Sequence, residues 1–85
     1  MNRDRLRPLN APRPVDVSLG ADGLPTEIVE PPSRRAVETV RDSWRLDDEW
    51  WRVPIRRRYV DVILEGGGRM VLFEDLVTGE WFVQA

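Results

Sequence analysis

The chain has 85 residues, a formal net charge of −2, and no cysteine or histidine. This length fits a single domain with a small core, and the composition excludes disulfides and thiolate metal sites. No apolar run approaches the ~20 residues of a membrane-spanning helix, so we expect no membrane association and a cytoplasmic protein.

The N-terminal part predicts a short arm followed by a hairpin. Residues 1–13 contain Pro8 and Pro12 and few apolar side chains, so we expect a flexible arm before a domain over 14–85. Apolar residues alternate with polar ones over 15–19, which indicates a strand. A glycine-containing turn at 20–23 then leads to a return strand.

The segment 34–45 fits two structures. Val37, Val40 and Trp44 have helical spacing, whereas Ala36, Val40 and Trp44 would share one face of a strand. A helix of about eleven residues is marginal on its own. We therefore favour a strand, with a three-turn helix as the alternative.

The second half of the chain alternates apolar segments with glycine turns. We expect a loop over 46–54, strands over 55–65, 70–73 and 81–83, and turns at 66–68 and 77–79. Val60, Val62 and Leu64 fall on one face of the first of these strands. The strand at 70–73 is apolar throughout, so both of its faces should be partly covered.

The fold class that follows is all-β. Consecutive strands joined by tight turns pair antiparallel, which makes the second half a meander. With the first hairpin and the middle segment, the sheet has five or six strands. A sheet this short has to hide one apolar face, and closing into a small barrel is a common solution.

The sequence predicts no enzyme. Without histidine or cysteine, the common nucleophile and base pairs are missing. The glycines at 66–68 are not followed by the Lys-Ser or Lys-Thr of a phosphate-binding loop. The acidic run 47–49 does not match a calcium loop, and we expect it to be solvated. We therefore expect no catalytic, metal-binding or cofactor-binding residues and no cofactor.

The four tryptophans are the unusual feature. We expect Trp44 and Trp81 to belong to the core, since one buried tryptophan removes ~150–250 Å² from water. Trp50 and Trp51 are neighbours, and adjacent side chains of a strand diverge, so one should be buried and the other exposed. The exposed ring would lie in an interaction patch made of Trp50, Trp51, Arg52, Arg56, Arg57 and Arg58.

Residues 44–85 resemble the C-terminal segment of ImuB, the catalytically inactive, polymerase-like subunit of a bacterial translesion-synthesis complex. The resemblance rests on residue order: Trp44-Arg45-Leu46, Glu49-Trp50-Trp51, Arg57-Arg58-Tyr59, Gly68, Leu72-Phe73-Glu74-Asp75 and Gly79-Glu80-Trp81-Phe82. A group of small stand-alone bacterial proteins has a similar pattern, with a Pro-Val-x-Val start that corresponds to 14–17. The chain departs from the ImuB segment at Val60 and at Val83-Gln84, where that family has tyrosine and histidine. It has no polymerase-like region and no sliding-clamp-binding peptide.

Together these features predict a non-catalytic interaction module with a protein partner, and the resemblance implies a link to DNA repair or translesion synthesis. The alternative is a small barrel that binds single-stranded nucleic acid through tryptophan and arginine side chains. The net charge and the acidic run beside the tryptophan pair disfavour this alternative.

Overall fold

Six antiparallel strands close into a small barrel. The structure is a computed structural model that describes residues 11–50 and 53–84, with the backbone alone at Trp50 and Val53. The strands are β1 (Arg13–Leu19), β2 (Pro25–Glu30), β3 (Ser33–Trp50), β4 (Val53–Leu64), β5 (Arg69–Asp75) and β6 (Trp81–Val83). Each strand pairs with the next, and β6 pairs with β1 to close the barrel. The predicted all-β barrel is confirmed, and the described residues include no helix that could cross a membrane.

Tight turns connect consecutive strands of the barrel. Between β4 and β5, Gly66, Gly67 and Gly68 have φ angles of 87°, 96° and 96°, a region that residues with a Cβ rarely adopt. Between β5 and β6, the carboxylate of Asp75 accepts hydrogen bonds from the backbone N–H groups of Val77 and Thr78. The turns predicted at 20–23, 66–68 and 77–79 are all present.

The core lies inside the barrel and is mostly aliphatic. Its buried residues are Val15, Ile28, Val60, Val62, Leu64, Leu72, Trp81 and Val83. The three predicted inward residues of β4 are at most 2% exposed, and Trp81 is 8% exposed. Burial of one such side chain stabilises the fold by roughly 1.5–3 kcal/mol. The core positions predicted on β4 and at Trp81 are therefore confirmed.

Strand β3 is longer than predicted. The segment 34–45 is a strand, as expected, but the loop predicted over 46–54 is wrong, because β3 continues to Trp50 and β4 begins at Val53. Residues 42–50 pair one for one with the first part of β4. In this pairing Asp47 lies opposite Arg56 and Asp48 lies opposite Ile55. The acidic run therefore alternates between the two faces of a strand.

Trp44 does not belong to the core, so that prediction is wrong. Val40 pairs with the core residue Val62, but the register with β4 then shifts between Val40 and Asp42. This irregularity adds one residue, and a one-residue slip moves every following side chain to the other face. Trp44 consequently points outward, opposite Tyr59, and is 44% exposed.

The first strand begins one residue before the predicted domain boundary. Arg13 pairs with Val83, and its Nε atom lies 2.6 Å from a carboxylate oxygen of Glu30. Residues 1–10 of the predicted arm lie outside the described residues. The predicted division of Trp50 and Trp51 into one buried and one exposed ring also lies outside them.

Candidate functional site

A row of four aromatic side chains crosses the outside of the barrel. Trp44, Tyr59, Phe73 and Phe82 lie on four neighbouring strands, β3 to β6, each directly opposite the next. The Trp44 and Tyr59 rings are stacked, with centroids 5.3 Å apart and planes 3° apart. The Phe73 centroid lies 5.3 Å from that of Tyr59 and 5.0 Å from that of Phe82. These are the distances at which aromatic pairs attract each other.

Arg57 covers the middle of this row. Its guanidinium carbon lies 4.4 Å from the centroid of the Phe73 ring, which is a cation–π contact. Its Nη1 atom also donates a hydrogen bond of 3.1 Å to the hydroxyl oxygen of Tyr59. We call the surface formed by Trp44, Tyr59, Phe73, Phe82 and Arg57 the aromatic face.

Burial changes along the aromatic face. Phe73 is only 2% exposed, although it points away from the core cluster inside the barrel. Trp44, at the β3 end, keeps 44% of its surface in contact with solvent. The inner rings are thus closely packed against one another, and Trp44 lies at the end of the row with almost half of its surface exposed.

The three consecutive arginines of β4 point to both sides of the sheet. Arg57 belongs to the aromatic face, whereas Arg58 is directed to the opposite side, where Nη2 donates a hydrogen bond of 3.1 Å to Glu74. The guanidinium carbon of Arg58 lies 5.3 Å from the centroid of the Trp81 ring. Arg56 is exposed and lies opposite Asp47. Residues 56–58 therefore do not form one continuous patch.

Three members of the predicted patch have no described side chain. Trp51 and Arg52 lie outside the described residues, and only the backbone of Trp50, the last residue of β3, is described. Of the patch residues whose side chains the structure describes, Arg57 belongs to the aromatic face.

Charges of both signs surround the aromatic face. Asp75 lies opposite Arg57, and Asp42 lies opposite Asp61. The Asp61 carboxylate accepts hydrogen bonds of 3.0 Å and 2.7 Å from the Nε and Nη2 atoms of Arg69. These hydrogen bonds lower the pKa of Asp61. Burial of the carboxylate raises this pKa, and the positive charges of Arg69 and Arg41 lower it further. The outer surface is therefore not a continuous basic one.

A groove adjoins the far end of the aromatic row. Pro14 lies opposite Phe82 and also lines this groove of about 520 Å³. Its apolar lining includes Val17, Val29 and Trp81, with Asp16 and Glu80 among its polar residues. The groove lies where β1 changes its pairing partner from β6 to β2.

The sequence carried a signal for three of the four aromatic residues. Tyr59 precedes the core residue Val60, Phe73 follows the core residue Leu72, and Phe82 lies between two core residues of β6. Because neighbours on a strand point to opposite faces, each of these rings had to lie outside the barrel. We did not predict these outward positions from the sequence. The outward position of Trp44 could not be predicted without knowing the irregularity in β3.

Comparisons of the chain with protein-family models, with curated proteins and with solved structures found no match.

Proposed function

We propose that this domain is a non-catalytic module that binds a protein partner through the aromatic face. The observation that carries the proposal is Trp44, a large apolar ring that is 44% exposed and lies stacked on Tyr59. A rigid aromatic side chain loses little conformational entropy on binding and offers a large contact area. Tryptophan, tyrosine and arginine are also the residues that most often dominate binding energy at protein interfaces.

The chemistry of the aromatic face favours an apolar segment with a carboxylate nearby. The rings offer apolar area and ring faces, and Arg57 supplies one positive charge in their middle. The surrounding acidic residues, among them Asp48 and Asp75, disfavour an extended polyanion.

The resemblance to the C-terminal segment of ImuB suggests a partner class. The motifs that carry the resemblance contain Trp44, Tyr59, Phe73 and Phe82, which are the four rings of the aromatic face. On this basis we propose that the partner is a component of a cytoplasmic translesion-synthesis or other DNA-repair complex.

Binding of single-stranded nucleic acid is the second candidate. The exposed ring of Trp44 offers a surface on which a base would stack, and such stacking contributes ~1–3 kcal/mol per base. The charge distribution disfavours nucleic-acid binding, because Arg58 is already paired with Glu74 and Arg56 lies opposite Asp47. Tryptophan fluorescence during titration with single-stranded DNA at two salt concentrations tests this candidate. Binding that weakens steeply with salt would favour it over the protein partner.

Photo-crosslinking followed by an affinity measurement tests the proposed function. A benzoylphenylalanine residue replaces Trp44 in the native host cells, and the same residue at Val77, 58% exposed on the β5–β6 turn, is the matched control. We expect a crosslinked protein that is specific to position 44. That protein is then purified and titrated with the unmodified chain.

The affinity of the purified partner decides the question. Trp44→Ala should weaken binding by at least about tenfold, because an aromatic side chain that dominates an interface typically contributes ~2 kcal/mol or more. Val77→Ala should leave the affinity within about twofold. Equal affinities for the two variants would show that binding does not use the aromatic face, and the proposal would be abandoned.

A further inference from the structure

Strand β3 has a long unpaired edge. It pairs with β2 only over Ser33–Ala36, and from Val37 to Trp50 it pairs with β4 on its other side. Among residues 11–50 and 53–84, no strand pairs with the remaining edge of β3 after Ala36. An unpaired edge presents backbone N–H and C=O groups to any strand that can lie beside it.

The accessible part of this edge is regular. The two register shifts of β3 lie between Val37 and Thr39 and between Val40 and Asp42, so 42–50 is free of bulges. The carbonyl of Arg56 accepts a hydrogen bond of 2.8 Å from the N–H of Leu76, so it faces away from β3. Because backbone groups alternate along antiparallel strands, Asp47, opposite Arg56, directs its own N–H and C=O toward the free edge. The same alternation applies to Ser43, Arg45 and Glu49.

We propose that a second copy of this chain pairs antiparallel with this edge, with a two-fold axis at Leu46. This register places Arg45 opposite Asp47 of the second copy, and Asp47 opposite Arg45 of that copy. Ser43 and Glu49 pair in the same way. In the single chain their N–H groups donate to the carboxylates of Asp42 and Asp48 at 2.8 Å and 2.7 Å, so these two groups exchange a local hydrogen bond for one between chains. Leu46 faces Leu46 at the position where cross-strand side chains approach most closely.

Charge selects this register over its neighbours. An axis at residue 45 would place Arg45 opposite itself, and an axis at residue 47 would place Asp47 opposite itself. Like charges directly opposite one another destabilise a strand pair. Only the axis at Leu46 turns both positions into opposite-charge pairs.

The exposed surface of the single chain fits this occupant. Within one chain, the Nε atom of Arg45 lies 3.3 Å from the Oδ2 atom of Asp47, and the two side chains are 60% and 55% exposed. A surface ion pair of this kind contributes little, so its exchange for a contact between chains costs little. Leu46 is 41% exposed and shares the outer side of β3 with Trp44. The two aromatic faces would lie on the same side of one continuous sheet, and the pairing does not depend on the proposed function.

Charge reversal tests the pairing without removing any apolar contact. The full chain, Arg45→Asp, Asp47→Arg and the double reversal are compared by sedimentation over a concentration series from about 10 µM to about 1 mM, the range suited to a small interface. The matched control is Arg34→Asp, which makes the same change of charge on the part of β3 already paired with β2. Circular dichroism checks that each variant keeps the β fold.

We expect the unmodified chain, the control and the double reversal to form dimers. Each single reversal should weaken self-association by at least about tenfold, because it places like charges opposite each other twice. An equimolar mixture of the two single reversals should associate, since opposite charges then meet across the axis. The double reversal keeps the test valid if a single variant fails to fold.

Three results would overturn the proposal: a monomeric unmodified chain at the highest concentration, a dimer that both single reversals leave intact, or a mixture of the folded single reversals that stays monomeric.

Discussion

Phe73 tests whether the aromatic face is part of the stable fold. This ring is 2% exposed and lies outside the core cluster, where Tyr59, Phe82 and Arg57 surround it. We consider two changes, Phe73→Ala and Phe73→Leu. The first removes nearly the whole side chain, and the second keeps most of its apolar area but removes the aromatic ring.

The structure sets the size of both effects. Truncation of a buried phenylalanine to alanine typically costs about 3–5 kcal/mol. Phe73→Leu loses two aromatic contacts at ~0.5–1.5 kcal/mol each and one cation–π contact with Arg57 at ~0.5–1 kcal/mol. Since neighbouring contacts are not additive and leucine regains some packing, we expect a loss of about 2 kcal/mol.

Equilibrium unfolding in urea, followed by far-ultraviolet circular dichroism and tryptophan fluorescence, measures both changes. Val77→Ala is the control, because this side chain is 58% exposed and its truncation should change the free energy of unfolding by less than about 0.5 kcal/mol. A loss below about 1 kcal/mol for Phe73→Ala would refute the reasoning. It would mean that the outer aromatic rings do not stabilise the sheet and that Trp44 has no rigid support.

Three further predictions concern single residues. Trp81→Ala should remove about 3–5 kcal/mol, most of the stability of a domain this small, and its dichroism spectrum should lose the folded signal, whereas a native spectrum would contradict a core role. Trp44→Ala should cost only about 0.5–1.5 kcal/mol in urea unfolding, since the lost contact is one aromatic stack, and a loss above about 3 kcal/mol would assign the ring to the core. Arg69 lowers the pKa of Asp61 in the folded chain, so this carboxylate stabilises the fold above its unfolded pKa and the contribution is lost as the pH falls through the folded pKa. Urea midpoints of Asp61→Asn should therefore fall less than those of the unmodified chain between neutral and acidic pH, and parallel decreases would contradict this assignment.

Local patterns in the sequence predicted most of the architecture. The glycine turns and the alternation of Val60, Val62 and Leu64 depend on neighbours along the chain, so they could be recognised without the fold. The same alternation separates Arg57 from Arg56 and Arg58, because adjacent residues of a strand lie on opposite faces. Our predicted patch treated these arginines as one group, although the predicted strand already implied two.

The features that the sequence did not predict depend on the register between strands that are distant in sequence. The outward position of Trp44 follows from one extra residue between Val40 and Asp42, which the alternation of apolar residues does not reveal. From the sequence alone, the acidic residues 47–49 are typical of a solvated loop. Their place in a strand follows from the pairing with β4. Which rings meet in the aromatic face is set by the turn lengths and by these shifts together.

The most direct test of the central claim maps where the partner binds. Backbone amide resonances of the isotope-labelled chain are recorded during titration with the purified crosslinked partner. We expect the largest changes at Trp44, Tyr59, Phe73 and Phe82, which four different strands bring together. Changes confined to the groove beside Pro14, or to the side of the sheet that carries Arg58 and Glu74, would contradict binding through the aromatic face.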